Sequence, residues 1–152
     1  MKYATILLVL TLGIFFSFLF FSKTKEPGPT ATIRNHTFIL ELAQTPQEKA
    51  KGLASRTKLS ENKGMLFLFQ NAGMYTFWMK DTLIPLDMIF INDKRIVTIH
   101  KNVKPQPNTA DNQLQLYPSK EPVNYVLEIN AGLSDKYGFK EGDVVTYENL
   151  GN

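Results

Sequence analysis

The sequence predicts a mainly β domain, a compact β sandwich or flattened barrel with two short helices, preceded by one N-terminal transmembrane helix. Three features lead there. Residues 4–21 form an 18-residue run without a charge. From about residue 31 onward, short β-rich runs alternate with Gly, Pro, Asn and Asp turn signals. Only two short segments carry helix starts and stops.

Ala4 to Phe21 holds five of the eleven Phe. As a helix it would be about 27 Å long, close to the hydrocarbon thickness of a bilayer, and a core helix does not need apolar residues on every face. Residues 1–22 are therefore a membrane anchor or a signal segment. A cleavable signal wants small residues one and three positions before the cut. A cut after Ser22 puts Phe20 at the third position, which favours an uncleaved anchor. Lys2 precedes the run while Lys23 and Lys25 follow it, so charge is nearly balanced across it. We expect an N-in, C-out, single-pass protein of the cytoplasmic membrane with its domain outside the cytoplasm; secretion or periplasmic release after cleavage is the alternative. Residues 23–30, with Pro27, Gly28 and Pro29, form a linker, and residues 31–152 a single domain.

From Thr30 onward the chain has 14 Lys+Arg against 13 Asp+Glu, too even a balance for a nucleic-acid partner. Without Cys there is no disulfide, thiolate metal site or Cys nucleophile.

Thr32 to Ala43 reads as a strand pair or one long bent strand. Thr45-Pro46-Gln47-Glu48 is a capping box with Pro at the first helical position, so a helix should run from Pro46 to about Lys51 and stop at Gly52. Gly64 to Phe69, Met74 to Lys80, Leu86 to Ile91, Arg95 to Asn102 and Val123 to Ala131 are β-rich, with Asp143 to Tyr147 as the last strand. A short helix, Leu133 to Tyr137, ends at Gly138.

The run FWMKDTLIPLDMIFI, with GMLFLF before it and TIHKNV and YVLEINAG after it, resembles the DUF192 (UPF0127) family of uncharacterised bacterial and archaeal proteins. The likeness extends from about Glu41 to Val145 and includes Ala43, Thr45, Pro46, Glu48, Gly52, Leu53, Arg56 and Leu59. It implies a compact, mostly β domain, often exported or membrane-anchored, and carries no particular activity.

Several residues could bear chemistry. If Asp93-Lys94 is the turn of a tight hairpin, paired positions sum to 187 and Asp87 faces His100. Such a pair orients an imidazole for acid/base work, or merely locks the register. A shift of one residue would send the two to opposite faces. On a strand, Trp78 and Lys80 share one face while Tyr75, Phe77 and Met79 share the other. An exposed Trp beside a cation is a platform for sugars, aromatic groups or a carboxylate; alternatively Trp78 plugs one end of the barrel beneath Lys80. Asp81 reads as turn chemistry. Glu128 alternates with apolar residues, on the face of Val126 and Asn130, and is costly to bury without a partner; Lys80, Arg56 and His100 are the candidates. Met65, Met74, Met79 and Met88 serve as core filler rather than soft-metal ligands, so no metal or cofactor is expected. His36, alone in a turn, has no assigned role. Phosphate-loop, nucleophile-elbow and paired-His motifs are lacking.

The leading functional expectation is a binding module in which Trp78, Lys80, Asp81, Asp87, His100, Glu128 and Asn130 hold a small envelope ligand or a partner protein. The alternatives are a small hydrolase or lyase using Asp87, His100 and Glu128, and a structural accessory of a membrane complex. Convergence of those three side chains in a polar pocket would favour the enzyme; exposed apolar surface at Trp78 would favour binding.

Overall fold

The computed structural model describes residues 28–151; the expected anchor at residues 1–22 lies outside the described residues. Among the described residues no helix is long and apolar enough to cross a membrane. The strands are β1 (Thr30–Ile33), β2 (His36–Ala43), β3 (Lys63–Gly73), β4 (Thr76–Phe77), β5 (Leu86–Asn92), β6 (Arg95–Val103), β7 (Tyr117–Pro118), β8 (Val123–Asn130) and β9 (Val145–Glu148). The helices are α1 (Pro46–Lys51) and α2 (Leu133–Lys136), with a 3₁₀ turn at Asp111–Gln113.

Seven strands form one sheet in the order β6-β5-β8-β3-β2-β1-β9, and β4 pairs with β7 apart from it. Only β2 and β3 run parallel, and the α1 segment supplies the long crossover that a parallel pair requires. The sheet curls into a half-barrel. One isolated bridge, Arg95–Val144, ties the start of β6 to the residue before β9, where Ile96 N donates to Asp143 O and Val145 N to Lys94 O. Of the expected sandwich or flattened barrel, the mainly β character and the two short helices hold, and the architecture is a single curled sheet, with connecting segments rather than a second full sheet over its outer face. Inside lie Ile33, Phe38, Leu66, Ile89, Leu127, Ile129, Phe139 and Val145. Outside, Leu53, Met65, Phe67, Met79, Met88, Phe90 and Tyr117 pack beneath α1, β4 and β7.

The local signals largely hold. The α1 capping box is complete: Glu48 N donates to Thr45 Oγ1 at 3.2 Å and Thr45 N to Glu48 Oε2 at 2.9 Å. Gly52, at φ +48°, ends the helix. Residues 32–43 belong to a strand pair, β1 and β2. Of Met74 to Lys80, only Thr76–Phe77 is a strand, since the sheet has no place for this segment and it pairs instead with the short β7.

The β5–β6 hairpin corrects the expected Asp87–His100 pair. Asn92 faces Arg95 and Ile91 faces Ile96, as the Asp93-Lys94 turn requires, but the register then slips by one and Phe90 faces Thr98. Val97 is the extra residue of a β-bulge. His100 therefore faces Met88, on the outer side, against the rings of Phe90 and Tyr117.

Asp87 points to the opposite face. Residues 86–91 of β5 are buried on both sides, and Asp87, 0% exposed, needs donors there. Its Oδ1 accepts from Asn102 N at 2.8 Å and Gly132 N at 3.1 Å, and its Oδ2 from Ser134 N at 2.8 Å. Asp87→Ala leaves three N–H groups without their acceptor, that of Ser134 buried and those of Asn102 and Gly132 partly buried. At ~1–3 kcal/mol for an orphaned buried group and less for a partly buried one, we expect a loss of ~2–4 kcal/mol in urea denaturation, with a loss below ~1 kcal/mol contradicting the assigned role.

Candidate functional site

One row of facing residues crosses the outer side of the sheet: Glu41, Met65, Glu128, Met88 and His100. Glu128 occupies its centre between two methionines. Gly64 lets β3 approach β8 closely here, since a Cβ at that position would lie 2.8 Å from Glu128 O. The Glu128 side chain is 4% exposed and opens into a cavity of about 260 Å³.

Phe67, Leu53 and Thr82 are the other buried residues of this cavity. Half-buried Phe69, Tyr75 and Phe77 line its sides; Lys49, Lys51, Lys80 and Trp78 complete the lining. The aromatic wall is internally ordered. Phe67 and Phe77 meet edge to face at 4.9 Å, and Phe69 stacks on Tyr75 at 3.7 Å. Trp78 is 49% exposed, so it is not the plug of a barrel end. It stands at the mouth.

None of the partners considered for Glu128 reaches it. Arg56 forms a two-bond pair with Glu41, at 2.7 and 2.5 Å. Lys80 Nζ pairs with Asp111 at 2.6 Å, and His100 Nε2 donates to Pro118 O at 2.8 Å. The Glu128 carboxyl makes no hydrogen bond to another described residue, and burial alone raises it to about 8. It is thus a neutral acid at neutral pH, offering an O–H donor and a C=O acceptor to the cavity.

The other anticipated site residues have structural duties. Asn130 Nδ2 donates to Leu59 O and Ser60 O, holding the α1–β3 loop. Asp81, at φ +52°, turns the chain while its carbonyl accepts from Ser55 N. His36 stacks on Tyr137 at 3.7 Å. Asp87, His100 and Glu128 do not converge: Asp87 is on the inner face, and Met88 separates His100 from Glu128. Among the described residues no group of three or more His, Asp or Glu side chains gathers as a metal site. Residue reasoning missed Phe67, Phe69 and Lys49 as pocket residues; the same-face spacing of Phe67 and Phe69 on β3 was the available signal.

A carboxyl raised in the folded state stabilises the protein fully below its ordinary value and loses that contribution as pH rises through about 8. The whole span is on the order of 5 kcal/mol. Glu128→Gln should remove the slope, leaving the variant the more stable protein at about pH 9 and close to the parent at about pH 5. Urea denaturation at both pH values measures this, and a parent chain with no such slope would mean that Glu128 has a partner in solution.

The chain matches the family model DUF192, described as "Uncharacterized ACR", over residues 29–147. Two solved structures are similar to it. A protein of unknown function from Novosphingobium aromaticivorans DSM 12444 shares 43% identity, with 78% of this chain and 82% of that chain covered and a TM-score of 0.69. A protein from Sinorhizobium meliloti 1021, described as a candidate transcription regulator, shares 36% identity over 80% of this chain and 93% of that one, with a TM-score of 0.70. No curated protein matches the chain. The matched residues run from before β1 into β9 and take in every strand of the half-barrel and the whole pocket wall: the chain belongs to the DUF192 family.

Proposed function

We propose that this domain is a small-ligand-binding module whose site is the Glu128 cavity, held outside the cytoplasmic membrane by the apolar run at residues 4–21. The observation that carries the reading is the buried Glu128 carboxyl. Burial of an ionisable group without a partner costs folding energy, and a strongly shifted group in a cleft is a functional-site candidate. Aromatic walls with few polar groups are the usual lining of small-molecule sites, and Trp78 at the mouth gives an arriving ligand a flat apolar surface.

The hydrolase or lyase reading required Asp87, His100 and Glu128 together, and their separation removes its support. Transcription regulation, the role named for the Sinorhizobium relative, lacks a basic surplus here, with 14 basic against 13 acidic residues from Thr30 onward.

A thermal-shift screen of small aromatic and amphipathic compounds tests the site. A ligand of the native state at about 100 times its Kd adds ~2.7 kcal/mol. Hits should lose their shift in Glu128→Leu and have it reduced in Trp78→Ala, which itself should change stability by less than ~1 kcal/mol. Shifts that survive both substitutions would place binding elsewhere. For the anchor, the full chain should stay in membranes through a carbonate wash, and a mature protein beginning near Ser22 would overturn it.

A further inference from the structure

The cavity has chemically different ends, and the pair of ends specifies a class of ligand. At the buried end, the Glu128 carboxyl meets neither cation nor hydrogen-bond donor among the described residues. Its cross-strand neighbours are Met65 and Met88, and the hydroxyl of Thr82, which also lines the cavity, donates to Lys80 O. A neutral carboxyl carries a donor and an acceptor side by side. Its complement is a group with an acceptor and an N–H side by side, which is the edge of a carboxamide or lactam.

Packed aromatic rings wall the cavity beyond Glu128, a surface on which a planar apolar body packs well. Lys49 and Lys51, in the last turn of α1, supply charge at the open end. Neither makes an ion pair with a described carboxylate. Lys49 Nζ instead lies 4.6 Å from the centre of the Phe69 ring, on the pocket wall. The nearby acids are engaged: Glu48 accepts from the Gln44 and Thr45 amides, and Asp111 pairs with Lys80.

Resting on the pocket reading above, we propose that the site takes a small planar amide acid, with a neutral carboxamide or lactam edge on Glu128 and an anionic group at the mouth beside Lys49 or Lys51. A cationic ligand is disfavoured because it would have to pass two unpaired lysines.

The chain's single Trp stands at the pocket mouth, so its fluorescence reports occupancy. The test titrates the full chain, in lipid nanodiscs, with terephthalamate, benzamide, benzoate and para-(aminomethyl)benzamide. Terephthalamate should bind at least ~10-fold more tightly than each of the others, a difference of ~1.4 kcal/mol. Joint replacement of Lys49 and Lys51 by Ala should erase its advantage over benzamide. Glu128→Leu should abolish binding. Glu128→Gln, whose amide also presents a donor and an acceptor, should retain it. Binding by the parent chain should weaken as pH passes about 8, whereas Glu128→Gln should bind evenly there. Lys49, Lys51, Lys80 and Tyr75 are the other titratable groups lining the cavity.

Equal or tighter binding of the aminomethyl compound would overturn the ligand class while leaving the pocket as a binding site. Binding of terephthalamate unchanged in Glu128→Leu would also overturn it, by placing the amide away from Glu128. Failure of all four compounds to alter Trp78 fluorescence would overturn this proposal and count against the pocket reading as well.

Discussion

The carboxylate of Asp87 is the interaction on which the arrangement of the half-barrel depends. It sits on a strand buried on both faces and accepts from three backbone N–H groups that arrive from two separate parts of the chain. Asn102, near the end of β6, and the Gly132–Ser134 turn into α2 are thereby tied to one point of β5. The same contact sets the parity of that strand. With Asp87 directed inward to its donors, Met88 and Phe90 must face outward. A strand displaced by one residue would strip the carboxylate of its donors and press it against the aromatic outer layer. The hydrophobic pattern of β5 is too uniform to impose this choice, so a polar residue imposes it.

Asp87 and Glu128 show two fates for a buried acid. Both lie in the central strands of one sheet, on opposite faces. The first is surrounded by backbone donors and serves the fold. The second has methionines on either side and no donor, while two cations of its surroundings are bound elsewhere, Arg56 by Glu41 and Lys80 by Asp111. Structural carboxylates are normally satisfied by the fold itself. Glu128 is satisfied only by holding a proton, which leaves its hydrogen-bonding groups turned toward the cavity.

What could be read from the residues follows how local each determinant is. The α1 helix was legible to within its caps because Thr45, Pro46, Glu48 and Gly52 act over one turn of chain. The Asp93-Lys94 turn was legible for the same reason, and the hairpin register is correct for the two pairs nearest to it. It fails at Val97, the extra residue of β6 opposite β5, because turn length alone does not encode a bulge further along the strands. The alternation expected over Met74 to Lys80 did not hold beyond Thr76–Phe77, and Tyr75, Phe77, Trp78 and Lys80 all line one cavity, because the segment pairs with β7, a strand of two residues 40 positions away. The pocket was the least legible feature. Its walls come from α1, β3, β4 and β8, and nothing local to any of them reveals that the others converge on it. Glu128 stood out only as an acid in an apolar strand; that it has no partner is a property of the assembled domain.

The pairing of β1 has a consequence for how the domain is made. Thr30 to Ile33 bond to β2 on one side and to Glu148 to Val145 on the other, so an early strand waits for the last one. Folds built on such distant pairings close slowly, in milliseconds to seconds. During synthesis at about 5–20 residues per second, the open edge of β1 persists for on the order of ten seconds. An unpaired edge is a template for another chain. Here Thr30 and Thr32 alternate with Ala31 and Ile33, so one side of that waiting strand is hydroxylated. Nascent copies can keep this side wetted until their own final strand emerges to cover the edge.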